Sequence, residues 1–426
     1  MAPVFTGSRF GFGRVDAGAG ASGPSYWIAT LFGGTFEQAY GVDVDASENI
    51  YVAGVTQSQG AGSSDFVIAK YNSSGTIQWQ RSLGGANSDT AYCITSDSSG
   101  NTYVGGQSDS GEFLLAKYDS TGAIQWQKTI TDGTSAQYNG IVVDSSNNVY
   151  ACGVINSSGY GNWFVAKFNS SGTLQWQSRI NGNFFGPANA RAITVDSGGN
   201  VCVAGSKTET TYATTSRGIK YNSSGTIQWQ RKLETGTAYG IACDSSDNVY
   251  VVGATNTSDI FFIKYDSSGT LQWQRKLTGG SSQGSAIAID ASNNIYIAGS
   301  TNATGNGQWF VAKYNSSGTI QWQRVLGTSA NDNSLGIAID NSDALVICGV
   351  FTISPDTKLG LARLKSDGSL TGTYGVFTYS SSSLTDAAGS MTDSSSSETT
   401  SDPGWTNSTA SFTDAATTLT STVTQL

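Results

Sequence analysis

Histidine is absent from all 426 residues. Its absence removes the side chain that proteins use most often as a general base and as a metal ligand, and it excludes Ser-His and Cys-His nucleophilic pairs. The five cysteines form no close pair, which disfavours both a thiolate zinc site and a disulfide framework. We interpret them as small buried residues: Cys93, Cys152, Cys202, Cys243 and Cys348.

Charged residues and long apolar runs are also scarce. Charged side chains make up 12% of the chain, and the formal net charge is −9. A nucleic-acid partner is disfavoured, because phosphate binding needs clustered Lys and Arg. No apolar run reaches the length of a membrane-spanning helix, so we expect no membrane insertion. The first residues lack the continuous apolar segment of a conventional secretory signal.

What the chain does contain is a repeat. The segment AKYNSSGTIQWQR at 312–324 has near copies at 69–81, 116–128, 166–178, 219–231 and 263–275. Its tryptophans recur every 44 to 53 residues, at Trp79, Trp126, Trp176, Trp229, Trp273 and Trp322. A period in this range indicates a propeller or another repeat array. The 53 glycines and the polar, weakly charged composition favour an all-β fold.

Each repeat divides into four predicted strands, which in the first copy cover 39–45, 49–56, 65–72 and 76–83. Four antiparallel strands in about 50 residues are typical of one propeller blade. The first two strands are joined by D-x-S-x-N turns or close variants, which begin at Asp45, Asp97, Asp144, Asp196, Asp244, Asp290 and Asp340. We interpret these aspartates as structural turn residues. The alternatives are calcium binding, which needs more closely spaced carboxylates, and catalysis by paired carboxylates.

Seven copies of the first-strand motif predict seven blades. The seventh copy lacks the tryptophan motif, and Gly372 stands in its place. Near the amino terminus, Trp27 and Leu31 align with Trp79 and Leu83. We therefore predict that residues 25–34 complete the last blade, which closes the ring and removes its open edges.

The chain divides into three predicted parts. Residues 1–24 form a Gly/Ala/Ser-rich leader, residues 25–375 the propeller, and residues 376–426 a Ser/Thr/Asp-rich tail. The leader is interpreted either as disordered or as a segment that docks on a partner through Phe5, Arg9, Phe10, Phe12 and Arg14. The tail has no Lys or Arg, and it is interpreted either as an oligomer-forming stalk or as disordered.

Aromatic side chains are the candidates for ligand contact. The blade tryptophans, with Trp27 as the seventh, could stack on sugars, but their fixed place in each blade favours packing between blades. Phe184 and Phe185 lie in a polar loop and are better candidates for contact. Trp163 and Trp309 begin third strands and could be ligand contacts or packing residues. No catalytic residue, metal ligand or cofactor site is indicated.

The motifs VDSSNNVY (143–150) and AKYNSSGTIQWQR resemble the bacterial seven-bladed β-propeller repeat family over residues 35–370. The resemblance implies a surface or secreted scaffold that binds a partner. Separately, the leader MAPVFTGSRFGFGR resembles the amino termini of virion structural proteins of tailed marine bacteriophages.

Together these resemblances lead us to expect a non-enzymatic structural or adhesion protein of a phage virion. The leader would dock on other virion proteins, at the tail or tail fibre, and the propeller loops would contact a host-surface glycan or protein. We expect several copies on the particle and no cofactor. The alternatives are a capsid decoration protein, a secreted or cell-surface bacterial propeller that binds polysaccharide or protein, and a lyase or glycosidase on a propeller.

Overall fold

In the computed structural model, the chain forms seven β-sheets that follow one another as blades around a central axis. The structure describes residues 26–108, 110–130, 135–157, 160–182, 186–210, 213–233, 236–388, 393–395, 407–409, 413–416 and 420–425. These residues contain strands and turns but no helix. Among them, therefore, no helix is long and apolar enough to cross a membrane.

The first strand, β1 (Trp27–Phe32), stands apart from the blade that follows it, and β2 to β28 then form the seven blades in chain order. Blade one contains β2 (Glu37–Val44), β3 (Ile50–Thr56), β4 (Asp65–Tyr71) and β5 (Ile77–Gly84). Blade two contains β6 (Thr90–Ser96), β7 (Thr102–Gln107), β8 (Phe113–Tyr118) and β9 (Ile124–Ile130). Blade three contains β10 (Ser135–Val143), β11 (Val149–Ser157), β12 (Tyr160–Phe168) and β13 (Leu174–Ile180). Blade four contains β14 (Ala188–Val195), β15 (Val201–Thr210), β16 (Ala213–Tyr221) and β17 (Ile227–Leu233).

Blade five contains β18 (Thr237–Cys243), β19 (Val249–Ala254), β20 (Ile260–Tyr265) and β21 (Leu271–Thr278). Blade six contains β22 (Ser282–Ile289), β23 (Ile295–Thr301), β24 (Gln308–Tyr314) and β25 (Ile320–Gly327). Blade seven contains β26 (Asn333–Ile339), β27 (Leu345–Ile353) and β28 (Asp356–Leu364). Seven short strands follow: β29 (Gly372–Tyr374), β30 (Phe377–Ser381), β31 (Thr385–Ala388), β32 (Asp393–Ser395), β33 (Asn407–Thr409), β34 (Thr413–Ala416) and β35 (Thr420–Gln425).

The ring closes through the amino-terminal strand. β1 pairs antiparallel with β28, from Trp27 opposite Arg363 to Leu31 opposite Leu359, and so becomes the fourth strand of blade seven. The predicted seven-bladed fold and its closure by residues 25–34 are therefore confirmed. Because β1 fills this place, the chain leaves blade seven after β28, and Gly372 pairs instead with Tyr379 on blade six.

Hydrophobic packing is concentrated between blades. Each of seven buried clusters joins two neighbouring blades; one of them packs Tyr51, Phe66 and Leu83 of blade one against Val104 and Leu114 of blade two. Since a blade is covered on both faces, every residue of β3 and β4 is buried. This explains why the middle strands read as continuous apolar runs and do not alternate.

A tryptophan on the fourth strand of one blade fastens that blade to the next. The indole Nε1 of Trp79 donates a hydrogen bond to the Ser120 carbonyl oxygen, 3.2 Å away, in the turn between the third and fourth strands of blade two. In the same turn Gly122 has φ of 80°, and a Cβ there would lie 2.7 Å from Cδ2 of Trp79. Only glycine therefore fits beneath the ring.

We call this contact between an indole and the next blade's turn the tryptophan staple. Indole-to-carbonyl hydrogen bonds of 2.9 to 3.3 Å repeat it for Trp27 with Ser73, Trp126 with Ser170, Trp176 with Ser223, Trp229 with Ser267, and Trp322 with Ser366. Trp273 covers Gly318 in the same way. The staple contributed by β1 joins blade seven to blade one.

The carboxy-terminal tail runs back around the outside of the ring. β30 pairs with β25, β31 with β21, β32 with β17, β33 with β9, β34 with β5, and β35 with β1, all antiparallel. The tail thus meets blades six, five, four, two, one and seven in that order, and residues 396–406 lie outside the described chain. We call these strands the outer belt.

The composition left a stalk and a disordered segment open for residues 376–426, and the described tail strands form the outer belt. The fourth strand of each blade presents a row of unpaired backbone groups, and a Thr-rich segment can pair with such an edge without an apolar face of its own. Apolar anchors remain where the belt begins: Phe377 and Tyr379 are buried against blades six and seven, and Leu384 is buried against blades five and six.

Replacing Trp27 with Ala should destabilise the propeller by about 3–5 kcal/mol, because it removes a fully buried indole and a staple at the ring closure. Trp229→Ala is the matched control, since Trp229 makes the same staple but is only half-buried. Chemical denaturation should show a clearly smaller loss for Trp229→Ala. Equal losses for the two variants would contradict the importance of the closing staple.

Ending the chain after residue 419 should leave β1 as an open edge, because β35 is its outer partner. We expect faster amide hydrogen exchange in β1 and a tendency to self-associate, measured by mass spectrometry and light scattering. Exchange in β4, in the middle of blade one, should not change. Unaltered protection of β1 would show that β35 does not hold that edge in solution.

Candidate functional site

Each of the seven inner strands carries a β-bulge at the same place. In blade one Ala39 pairs with Gly54 and Gly41 pairs with Ala53, so Tyr40 is left as the extra residue. The same interruption occurs in the other six blades. The seven bulge residues are Tyr40, Tyr92, Asn139, Arg191, Tyr239, Ser285 and Leu335.

A glycine on the second strand makes each bulge possible. A Cβ on Gly54 would lie 1.8 Å from the carbonyl oxygen of Gln38, a distance that no side chain tolerates. The equivalent glycines show the same approach at 1.9 to 2.1 Å: Gly106, Gly153, Gly205, Gly253, Gly299 and Gly349. The glycine that recurs in every second strand therefore serves the bulge, which redirects a side chain on the inner strand.

The bulge residues line a cavity of about 170 Å³ on the central axis, to which all seven blades contribute. Aliphatic side chains two positions further along each inner strand line the same cavity: Val42, Ile94, Ile141, Ile193, Ile241, Ile287 and Ile337. We call this cavity the cup. Its wall combines one variable side chain per blade with a repeated aliphatic ring.

Arg191 is the one charged residue among those that line the cup. Its guanidinium carbon lies 5.0 Å from the ring centre of Tyr239, within cation–π range. Burial lowers the pKa of Arg191, but a guanidinium keeps its charge at any ordinary pH. Its Nε is buried and has no hydrogen-bond partner in the described part of the chain.

Two tyrosines form an aromatic pair at another part of the cup wall. The rings of Tyr40 and Tyr92 lie 5.0 Å apart, centre to centre, with an angle of 58° between their planes. Burial raises the pKa of Tyr40 to about 12, helped by the neighbouring Tyr92, and it raises the pKa of Tyr92 as well. Both phenols therefore stay protonated near neutral pH and act as aromatic surfaces and hydrogen-bonding groups.

A polar groove lies between blades five and six, next to the cup. This cavity of about 290 Å³ shares Tyr239 with the cup. Its remaining lining is Thr237, Ala254, Thr255, Asn256, Ser258, Ser281, Ser282, Gln283 and Ser300. We call it the hydroxyl groove, since serine and threonine supply most of its surface.

The hydroxyl groove lies at the face where the connections vary. Connections between second and third strands there range from two residues at 354–355 to eight at 57–64. We call this the loop face. On the opposite turn face, the connections between first and second strands are five residues long in all seven blades. The length of the connections is therefore the same in every blade on the turn face, and it differs from blade to blade on the loop face.

The predicted turn aspartates lie on the turn face, where each organises its own hairpin. Asp45 Oδ1 accepts hydrogen bonds from the backbone amides of Ser47 and Asn49, and Oδ2 accepts from the Asn49 side chain and the Tyr51 hydroxyl. Asp97, Asp144, Asp244 and Asp290 repeat this pattern.

Two of the turns replace the tyrosine with a buried cation. Asp196 pairs with Lys220 at 2.7 Å, and Asp340 pairs with Arg363 at 2.6 Å. In the described chain, no group of three or more His, Cys, Asp or Glu side chains is placed to hold a metal ion. The turn aspartates are thus engaged in hairpin hydrogen bonds and ion pairs.

Of the candidate ligand contacts, Trp163 and Trp309 can be described. Trp163 is 1% exposed and Trp309 is not exposed, and of the two readings that the sequence left open this burial favours packing. Trp309 stacks on Phe351 with ring centres 4.1 Å apart. Phe184 and Phe185 lie outside the described residues, as do the predicted docking residues Phe5, Arg9, Phe10, Phe12 and Arg14.

The cup itself was missed from the sequence, although a signal for it is present. In the aligned first strands, the second position changes from Tyr to Asn, Arg, Ser and Leu, while its neighbours are small residues except for Tyr138 in blade three. A glycine recurs opposite this position in every second strand. A variable residue opposite an invariable glycine within an internal repeat indicates a bulge that redirects a side chain.

Comparison with known families shows that the chain carries β-propeller repeats. A profile described as a beta-propeller repeat matches residues 78–113 and 272–305. A second profile, described as a beta-propeller domain of unknown function, matches residues 49–77, 291–320 and 344–370. No curated protein sequence matches the chain significantly.

Solved structures with a similar architecture have low sequence identity to this chain. Sqt1 from Chaetomium thermophilum is 13% identical, with a TM-score of 0.47, and the match covers 77% of this chain and 82% of Sqt1. A gluconolactonase from Xanthomonas campestris is 14% identical, with a TM-score of 0.38, over 62% of this chain and 82% of its own. A protein of unknown function from Dyadobacter fermentans is 9% identical, with a TM-score of 0.44, over 80% and 98%.

The stability of the fold should fall as the pH is lowered toward 3. Burial alone would raise the pKa values of Asp144, Asp196 and Asp244, but hydrogen bonds in their turns, and Lys220 for Asp196, bring them below the ordinary value. A pKa that is lower in the folded state gives stability that is complete above the unfolded pKa of about 4 and is lost on acidification.

Urea unfolding between about pH 7 and pH 3 measures this dependence. Asp244→Asn should be less stable at neutral pH and should lose less stability on acidification, because it takes up no proton at that turn. A slope equal to that of the unaltered protein would contradict the assignment.

Proposed function

We propose that the protein is a non-enzymatic binding module that takes a glycan on its loop face. The observation that carries this proposal is that the cup and the hydroxyl groove lie on either side of one shared residue, Tyr239. Together they offer aromatic rings, amide and hydroxyl groups along one path from the axis to the boundary between two blades. Concave sites of aromatic surface with a few placed polar groups are typical of ligand recognition.

The chemistry of the cup favours binding over catalysis. The described residues that line it include no carboxylate, and its two characterised phenols have raised pKa values. A general base near neutral pH is therefore lacking among these side chains. A glycosidase would need two carboxyl groups about 5–10 Å apart across a sugar.

The position of the amino terminus supports a role as an adhesin mounted on a particle. Trp27 contacts the Ser73 turn and pairs opposite Arg363, so the chain enters the propeller at the turn face. A partner bound by the preceding leader would hold that face, and the cup would point away from it. With the resemblance of the leader to phage virion proteins, this favours a tail or tail-fibre component that presents the loop face to the host surface.

Tyr239→Ala should weaken glycan binding at least about tenfold while leaving the melting temperature nearly unchanged, because Tyr239 is half-buried and lines both cavities. A glycan microarray would identify the ligand, and calorimetry would measure its affinity. Tyr374→Ala is the matched control, since this half-buried tyrosine lies on the outer edge of blade six. Unchanged affinity in Tyr239→Ala, or no glycan bound by the unaltered protein, would overturn the proposal.

Immunogold electron microscopy on density-purified phage particles tests the particle role separately. The proposal expects label at one fixed place on the tail. Label on the capsid would favour a decoration protein. Protein found only on bacterial cells or free in the medium would favour a bacterial surface propeller that uses the same cup.

A further inference from the structure

We propose that the cup selects an acidic sugar, whose carboxylate is bound by Arg191. This inference rests on the proposed glycan-binding function and names the class of residue at the end of the glycan. It starts from the asymmetry of the ring of bulge residues: seven equivalent backbone positions carry one cation, three tyrosines, and neutral Asn139, Ser285 and Leu335.

The guanidinium of Arg191 lacks a compensating anion. No carboxylate shares the lining of the cup, and no carboxylate of the described residues forms an ion pair with Arg191. The guanidinium lies over the face of the Tyr239 ring. A partly buried charge without a counter-ion is costly, and this cost is relieved when a ligand brings the missing negative charge.

Two further residues of the bulge ring have hydrogen-bond partners within the protein. The Asn139 side chain donates to the Ala190 carbonyl oxygen at 2.7 Å and accepts from Gln137 at 2.5 Å. The Ser285 hydroxyl accepts from Gln283 at 3.3 Å. These bonds position Asn139 and Ser285, whereas the buried Nε of Arg191 has no hydrogen-bond partner in the described part of the chain.

The size and charge of the cup restrict its occupant. A cavity of roughly 150 Å³ holds one benzene ring, so the cup, at about 170 Å³, has room for a single six-membered ring. A planar guanidinium matches a carboxylate in a two-point hydrogen-bonded contact. A polyanion is disfavoured, because the cup offers one cation and the protein has a net charge of −9.

The surroundings of Arg191 point to a sugar acid and not to a simple anion. Tyr239 lies beside the guanidinium and also begins the hydroxyl groove. A uronic acid in the cup would place its ring against aromatic surface, and further sugar units would follow the serine and threonine side chains outward. The aliphatic ring, including Ile193 and Ile241, would cover the carbon face of the sugar.

The test compares D-glucuronate with D-glucuronamide, which has the same shape but no charge, by calorimetry or saturation-transfer NMR on the full chain. The unaltered protein should bind glucuronate at least about tenfold more tightly, a difference of about 1.4 kcal/mol. Arg191→Gln should remove this preference, and Arg191→Lys should keep part of it because the charge remains without the planar fork. Lys365→Gln, which removes the same charge on the turn face, should bind like the unaltered protein.

Each other outcome has a distinct meaning. Equal binding of glucuronate, glucuronamide and glucose, unaffected by Arg191→Gln, would overturn the acidic-sugar inference and leave glycan binding standing. Acetate that binds as tightly as glucuronate would overturn it by showing an anion site without sugar selectivity. If glucose 6-phosphate bound more tightly than glucuronate, the proposed preference for a carboxylate would be overturned, and a phosphate would be the group that Arg191 binds. If neither these sugars nor any arrayed glycan bound, the proposed function itself would fail.

Discussion

The structure depends on the contact between a tryptophan on one blade and the serine-glycine turn of the next. No blade can bury its own faces, so each must be held against two neighbours. The staple does this with an indole hydrogen bond to the serine carbonyl oxygen and with a ring that lies on a glycine such as Gly122. Because both partners belong to the same sequence segment, one repeated motif supplies the donor of one junction and the acceptor of the next.

Both chain ends strengthen the junction that a linear repeat would leave open. β1 brings the seventh staple to blade seven, and β35 covers the outer edge of β1. The outer belt then pairs with five further blades on its way around the ring. The ring is thereby closed, and the outer edges of these blades pair with strands from the carboxy-terminal tail of the same chain.

In this closed propeller, the residues that stabilise the blades are different from the residues that line the cup. The staples and turn aspartates repeat on the turn face, where variation would weaken every blade. The bulges place one side chain per blade on the axis at little cost to the sheet, since the glycine opposite accommodates the displaced backbone. Arg191 and Ser285 can therefore occupy equivalent positions although their chemistry is unrelated.

The sequence alone was sufficient to predict the propeller scaffold, because the scaffold is built from a periodic repeat. Strand order, blade number and closure by Trp27 follow from spacing and from one missing tryptophan in the seventh repeat. For Trp163 and Trp309 the sequence left contact and packing both open, because an aromatic residue at the start of a strand has the same local sequence whether it faces solvent or a neighbouring blade. The outer belt could not be predicted, because a polar Thr-rich strand obtains its partners from edges far away in the chain.

We propose that the cup, and not the indoles of the staples, receives the ligand. A crystal structure of the protein soaked with D-glucuronate would distinguish the two sites. We expect a sugar in the cup with its carboxylate about 3 Å from the Arg191 guanidinium and its ring beside Tyr239. A sugar stacked on the half-buried indoles of Trp126 or Trp176, with the cup holding only water, would contradict it.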